Sequence, residues 1–111
     1  MDSKLLTGTV ETMILQVLCP GESYGYKITQ EVLSRSEGYF ALKEGSLYPA
    51  LHRMERQGML EAYWEETESG RRRKYYRLRR EGRGALAKER KQWFTVHNTL
   101  LQLWKTQHRS T

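Results

Sequence analysis

From Glu81 onward, Leu86, Glu89, Trp93, Val96, Leu100 and Leu103 recur at alternating steps of three and four residues. That is the spacing of a coiled-coil seam and predicts one long helix, with only Glu89 interrupting its apolar line. Phe94, His97, Leu101 and Trp104 widen the stripe. The remaining 80 or so residues are enough for a small domain to close its own core, so they do not need this stripe. Left bare, Trp93, Phe94, Val96, Leu100, Leu101, Leu103 and Trp104 would form a patch larger than monomers expose. The expected solution is burial against a second copy of the chain, with these seven residues as the dimerisation set. An amphipathic membrane helix is the competing reading. The polar face is not especially basic past Lys91, which weakens it, and no partner membrane is expected.

The segments before this helix alternate between two periods. Val10, Met13, Ile14, Val17 and Leu18 follow one helical face, with Thr7 and Thr9 as possible caps and Cys19-Pro20-Gly21 ending the run. Ser23 is expected to cap a second helix whose apolar side is Tyr24, Ile28 and Val32. Tyr39-Phe40-Ala41-Leu42 reads as a strand stub. A third helix carries Leu47, Ala50, Leu51 and Met54 on one face and stops at Gln57-Gly58. Pro49 prefers a first turn, which makes Ser46 the better N-cap; a start near Lys43 would leave Pro49 inside and bend the helix. Leu60, Ala62 and Trp64 then alternate with Glu61, Tyr63 and Glu65, and the alternation resumes over 73–79 beyond a Ser69-Gly70 turn. The result is a hairpin. The fold class expected is mainly α with a small β-hairpin (α+β): a winged helix-turn-helix over residues 1–80 and a dimerisation helix over 81–111.

Charge falls unevenly on this scaffold. The chain carries a formal +6. Between Ser69 and Arg83 there are eight basic residues (Arg71, Arg72, Arg73, Lys74, Arg77, Arg79, Arg80 and Arg83) against Glu81 alone, giving +7. The rest, eleven basic and twelve acidic side chains, comes to −1. So dense a run of like charge repels itself unless a polyanion relieves it, and it sits on the hairpin. A solvated basic face is the bland alternative.

A winged helix-turn-helix places its third helix in the major groove of double-stranded DNA, with N-terminal residues near base edges. Opposite the apolar face stand Ser46, Pro49, His52, Arg53 and Arg56. Arg53 is suited to fork onto a guanine or a phosphate, and Ser46 and Tyr48 to bond phosphates near the helix start. Gly70, Arg71, Arg72, Arg73 and Lys74 form a wing tip able to neutralise phosphates with little regard to sequence. Of Tyr75 and Tyr76, one is expected in the core and the other half-exposed. Trp93, in mid-seam, would face its twin near a two-fold axis, where two indoles can hold a small, flat aromatic effector; plain packing is the competing role.

Other chemistries find little support. His52, His97 and His108 have no Cys or carboxylate at ligand spacing, so no metal site is expected, and no cofactor. No phosphate loop or nucleophile motif suggests an enzyme. Cys19 is the only cysteine and reads as a small apolar residue near a helix end; the absence of any intrachain disulfide fits a reducing, cytoplasmic setting. No apolar stretch follows Met1–Leu6 to a small-residue cleavage site, so no signal peptide is expected.

Tyr24-Gly25-Tyr26, Gly45-Ser46-Leu47-Tyr48-Pro49-Ala50-Leu51 with Arg53-Met54-Glu55, and the run Gly70 to Leu78 resemble the PadR family of bacterial transcriptional regulators. The resemblance runs from about Leu6 to Trp104 and is to the compact subfamily with a single C-terminal dimerisation helix. It implies a homodimer, mostly repression, and release from DNA by a small effector. By position it implies Lys43, Ser46, Tyr48, Pro49 and Arg53, with Gly70 to Lys74, as the DNA-contacting set. It also puts the start of the third helix nearer Lys43. Where the family has Thr or Ser capping the last helix, this chain has Leu78-Arg79-Arg80-Glu81-Gly82, a weak cap. A winged helix of another family, or a winged-helix protein-interaction or RNA-binding module without operator-specific DNA binding, is the alternative.

Overall fold

The computed structural model describes residues 3–109, with side chains described over 8–105; Met1, the side chain of Thr7 and that of His108 lie outside this set. The elements are α1 (Ser3–Leu18), β1 (Ser23–Tyr24), α2 (Gly25–Arg35), α3 (Glu44–Arg56), β2 (Leu60–Glu66), β3 (Arg72–Leu78) and α4 (Arg80–Arg109). The three strands form one antiparallel sheet in the order β1-β3-β2. This is the mainly helical α+β winged-helix fold expected from the sequence.

One core serves α1 to β3 and the root of α4. Val10, Ile14, Leu15 and Leu18 come from α1, Ile28 from α2, Leu47, Leu51 and Met54 from α3, and Leu60, Tyr76 and Leu78 from the hairpin. Leu86 of α4 is buried with them at 4 % exposure, so the cluster extends past residue 80. Burial of each large apolar side chain contributes roughly 1.5–3 kcal/mol, which makes this cluster the main stabilising term. Cys19 packs half-buried against it, as expected of a small apolar residue.

Four local expectations are corrected. Helix α1 begins before Thr7 and Thr9, which therefore lie within it rather than capping it. Ser23 is not a cap either: it sits in β1, paired with Tyr76, and Tyr24 precedes α2 with no side-chain cap. A two-residue strand has no period to read, and it is the edge of β3 that draws Ser23 and Tyr24 into the sheet. Residues 39–42 form no strand. There the Ser36 hydroxyl accepts from the Phe40 N–H at 2.9 Å, and Tyr39 meets Phe40 edge-on at 4.8 Å, closing a loop.

The fourth correction concerns α3, which starts at Glu44 with Lys43 as N-cap, so the Ser46 cap inferred from Pro49 is three residues late. The Lys43 carbonyl accepts from the N–H groups of Ser46 (3.0 Å) and Leu47 (2.9 Å). Pro49 is thereby inside the helix. It forgoes one bond, to the carbonyl of Gly45, while the buried face Leu47, Ala50, Leu51 and Met54 carries the helix through that point. The other end is as expected. Gly58 takes φ +77°, the Met59 N–H reaches the Met54 carbonyl (3.0 Å) and the Gly58 N–H that of Glu55 (3.0 Å), a complete left-handed cap.

Helix α4 starts without a Ser or Thr cap. Its entry is fixed instead by the sheet: the Arg79 N–H donates to the Met59 carbonyl at 3.0 Å. Gly82 lies so close to the same carbonyl that a Cβ there would overlap it.

Candidate nucleic-acid interface

Helix α3 buries Leu47, Ala50, Leu51 and Met54, which turns Lys43, Ser46, Tyr48, Pro49, His52 and Arg56 to solvent. Tyr48 is held by its neighbour helix. A Cβ on Gly25 would lie 2.7 Å from the Tyr48 hydroxyl oxygen and 3.1 Å from Cζ, so only glycine lets the ring rest on the start of α2. Arg53 behaves differently from the rest of its face. It is half-buried, and its Nε donates to Glu11 Oε1 of α1 at 2.9 Å.

The wing is a regular hairpin with Glu66 opposite Arg72 and Leu60 opposite Leu78. Its turn is closed by the Thr67 N–H donating to the Arg71 carbonyl (2.7 Å) and the Gly70 N–H to that of Thr67 (2.9 Å). Gly70 at φ +84° supplies the left-handed residue this three-residue loop requires. Arg71 and Arg72 project from the tip. Arg72 lies 5.2 Å from the Trp64 ring centroid and Arg73 3.9 Å from that of Tyr24, so aromatic faces support both guanidinium groups. Lys74 Nζ lies 3.5 Å from Glu55 Oε1, linking wing to α3. As expected of the tyrosine pair, Tyr76 is buried and Tyr75 half-exposed. Burial raises the Tyr76 phenol above its ordinary pKa.

Between α3, the start of α2 and the inner face of the wing runs a groove of about 530 Å³, lined by Tyr26, Tyr48, His52, Trp64 and Lys74 among others. Strand alternation puts Trp64 on the core side, yet it is 55 % exposed, because the strand outruns the body at that point. Tyr26 and Trp64 are thus additions to the sequence-based set. Their signal is limited to aromatic type near a basic turn.

The +7 segment is two patches, not one. Arg71 to Lys74 occupy the tip; Arg77, Arg79, Arg80 and Arg83 lie at the foot of the strand, about 20 Å away. The foot is largely committed to the protein itself. Arg77 pairs with Glu61 at 3.1 Å, Arg79 with Glu81 at 3.5 Å, and Arg83 Nη1 donates to the Cys19 carbonyl at 3.3 Å. The hydrogen bond from Arg77 holds the Glu61 carboxyl below its ordinary pKa.

On α4, Trp93, Phe94, Val96, Leu100, Leu101, Leu103 and Trp104 are all exposed. Trp93 and Phe94 border an open groove of about 520 Å³ against Thr12, Met13 and Gln16 of α1. Glu89, the break in the seam, accepts a hydrogen bond from the Thr12 hydroxyl at 3.4 Å. Among the described residues no cluster of His, Cys, Asp or Glu could hold a metal, and no helix is long and apolar enough to cross a membrane.

A three-helix body with a hairpin closing beside its third helix defines a winged-helix protein. The family model described as "Transcriptional regulator PadR-like family" matches residues 14–88, and the chain belongs to that family. It is 40% identical over 82 residues to a transcriptional regulator of Mycobacterium tuberculosis, covering 74% of this chain and 73% of that protein. Its fold superposes on a transcriptional regulator from Clostridium thermocellum with a TM-score of 0.81 at 30% identity, covering 92% of this chain and 96% of that one. A PadR family transcription regulator from Clostridium difficile gives 0.75 at 36% identity, over 85% and 96% of the two chains. The protein is therefore a transcriptional regulator, as are these relatives, and not an enzyme.

Proposed function

We propose that the chain is a cytoplasmic homodimeric repressor that binds double-stranded DNA at a specific operator through α3 and the wing. The observation that carries this reading is the pairing of two unlike surfaces across one groove. On one side stands the outward face of α3, with Lys43, Ser46, Tyr48, Pro49, His52 and Arg56. On the other stands a tip bearing Arg71, Arg72, Arg73 and Lys74 next to Gly70. A helix of this width fits the major groove, while cations on a hairpin suit the flanking backbone. The exposed stripe of α4 supplies the reason for two copies, and a two-fold dimer matches two half-sites. In that dimer Trp93 stands beside its twin, and a planar aromatic effector held between the indoles would release the operator; tryptophan emission in wild type and Trp93→Phe during a titration checks this.

Selection of bound duplexes from a random DNA pool tests the main reading. The expected result is a two-fold symmetric motif whose affinity falls with salt. Replacing Arg71 and Arg72 by Ala should flatten the log–log salt slope by roughly 0.9 for each phosphate no longer neutralised, on every sequence. A pool that yields no motif, or equal binding to RNA hairpins, would sink the operator-specific reading.

A further inference from the structure

Arg53 has the side chain best suited to read a guanine from α3, yet it does not point with its neighbours. It follows His52 and precedes Arg56 by three residues, both exposed, while its own guanidinium is turned back to α1. We propose that Glu11 withholds Arg53 from DNA, standing in for a phosphate, and that Arg53 changes partner when the operator docks. This rests on the reading of α3 as the DNA-contacting helix.

The Glu11–Arg53 bond has the features of an exchangeable pair. It runs through Nε at 2.9 Å, and the two side chains keep 35% and 27% of their surface exposed. Ion pairs this wet are weak, because water competes for both partners and the long arginine side chain gives up rotamer freedom. A carboxylate offers arginine much the same charge-assisted bond as a phosphate oxygen. The duplex adds the release of condensed counterions, which Glu11 cannot. Helix α1 packs along α3 through Ile14 and Leu18 in the shared core, so Glu11 cannot follow the arginine outward. Any exchange is a swing of Arg53 alone. Glu11 is then a positioning residue: it keeps a base-reading cation out of weak, non-specific complexes, where too few bonds form to draw it off.

Glu11→Gln keeps the shape and removes the charge. Binding to the selected duplex and to random duplex is measured in wild type, Glu11→Gln, Arg53→Ala and the double variant, with thermal melting to confirm that each is folded. Glu11→Gln should bind random duplex roughly two- to fivefold more tightly, the scale of a half-exposed pair. Binding to the selected duplex should gain at least as much, because that complex no longer has to break the pair, so the operator preference should hold or rise. In the Arg53→Ala background the same change should have a distinctly smaller effect, set only by removal of a distant negative charge. Equal gains in both backgrounds, or weaker binding by a folded Glu11→Gln, would overturn the proposal. The Arg53 Nε–Hε resonance gives a readout that needs no affinity. In wild type it should move when operator is added, and in free Glu11→Gln it should already have left its wild-type position. A protein that binds duplex with this resonance unmoved overturns the exchange alone; one that binds no duplex overturns the DNA reading with it.

Discussion

The winged body and the outer two-thirds of α4 are built from similar proportions of large apolar residues but treat them in opposite ways. In the body, Ile14, Leu18, Ile28, Leu47, Leu51, Met54, Leu60 and Tyr76 are all within 2 % of complete burial. On α4, every residue from Lys91 to Lys105 is exposed, the tryptophans included. The radius of gyration is 16.9 Å, where a compact chain of this length has about 13 Å. A single copy thus holds one finished unit and one unfinished one. The division falls near Glu89, where α4 parts from α1, and it assigns stability and the proposed dimerisation to different residues of one helix.

Deleting residues 93–111 is the strongest way to break this comparison. The body keeps its whole core, Leu86 included, so it should still unfold cooperatively, while the dimer should vanish in sedimentation at micromolar concentration. Operator affinity should drop by at least about 100-fold, since each half-site must then be found independently. A truncated chain that still dimerises would refute the division.

Next in size is a pair of leucines. Leu86→Ala should cost about 2–5 kcal/mol in urea unfolding of full-length and truncated chains alike, as for other core truncations. Leu101→Ala should leave the unfolding midpoint of the dilute monomer unchanged and weaken only self-association. Equal effects on monomer unfolding would mean that the outer helix folds back on the body.

Two glycines close together on α4 sharpen the boundary further. A Cβ at Gly82 meets the backbone carbonyl of Met59, whereas one at Gly84 meets nothing within 4 Å. Gly82→Ala should destabilise the body by about 2–3 kcal/mol. Gly84→Ala should stabilise it by about 0.5–1 kcal/mol through helix propensity. Thermal melting of the two variants separates the signs.

The smallest effect is at the end of α2. Glu37 holds φ +53° as the left-handed cap residue, with its N–H on the Ser34 carbonyl at 3.1 Å and that of Gly38 on Leu33 at 2.8 Å. Glu37→Gly removes that strain but adds freedom to the unfolded chain, so it should raise the stability read in urea unfolding by about 0.5 kcal/mol or less, without touching α4.

Periodicity makes the large elements legible. The alternation from Leu60 to Trp64 and the face Leu47–Ala50–Leu51–Met54 follow from how strands and helices repeat, and both are present. What escapes depends on contacts between elements. The strand at Ser23–Tyr24 exists because β3 has an open edge, and no two-residue pattern can announce that. The start of α3 is misplaced by a proline rule for isolated helices, which ignores that packing of Leu47, Ala50, Leu51 and Met54 offsets the one bond Pro49 forgoes. The basic run looks continuous because sequence distance hides a strand's length; its foot is absorbed by Glu61, Glu81 and the Cys19 carbonyl. Arg53 is legible as a cation on the right helix. Its partner Glu11 is not, since an acid 42 residues away on another helix carries no local mark.

The seat of α4 also makes it a lever. Gly82 and Leu86 clamp one end between Met59 and the core. From Leu86 to Trp104 the rigid arm is about 27 Å long. A tilt of about 5° at the clamp therefore carries Trp104 through about 2 Å, which is half the width of a side-chain contact. Read the other way, a displacement of that size at the far end reaches the body as only a few degrees, delivered at the foot of the hairpin that carries the wing. The same geometry that leaves the helix bare gives its tip leverage over the foot of β3, where α4 joins the sheet.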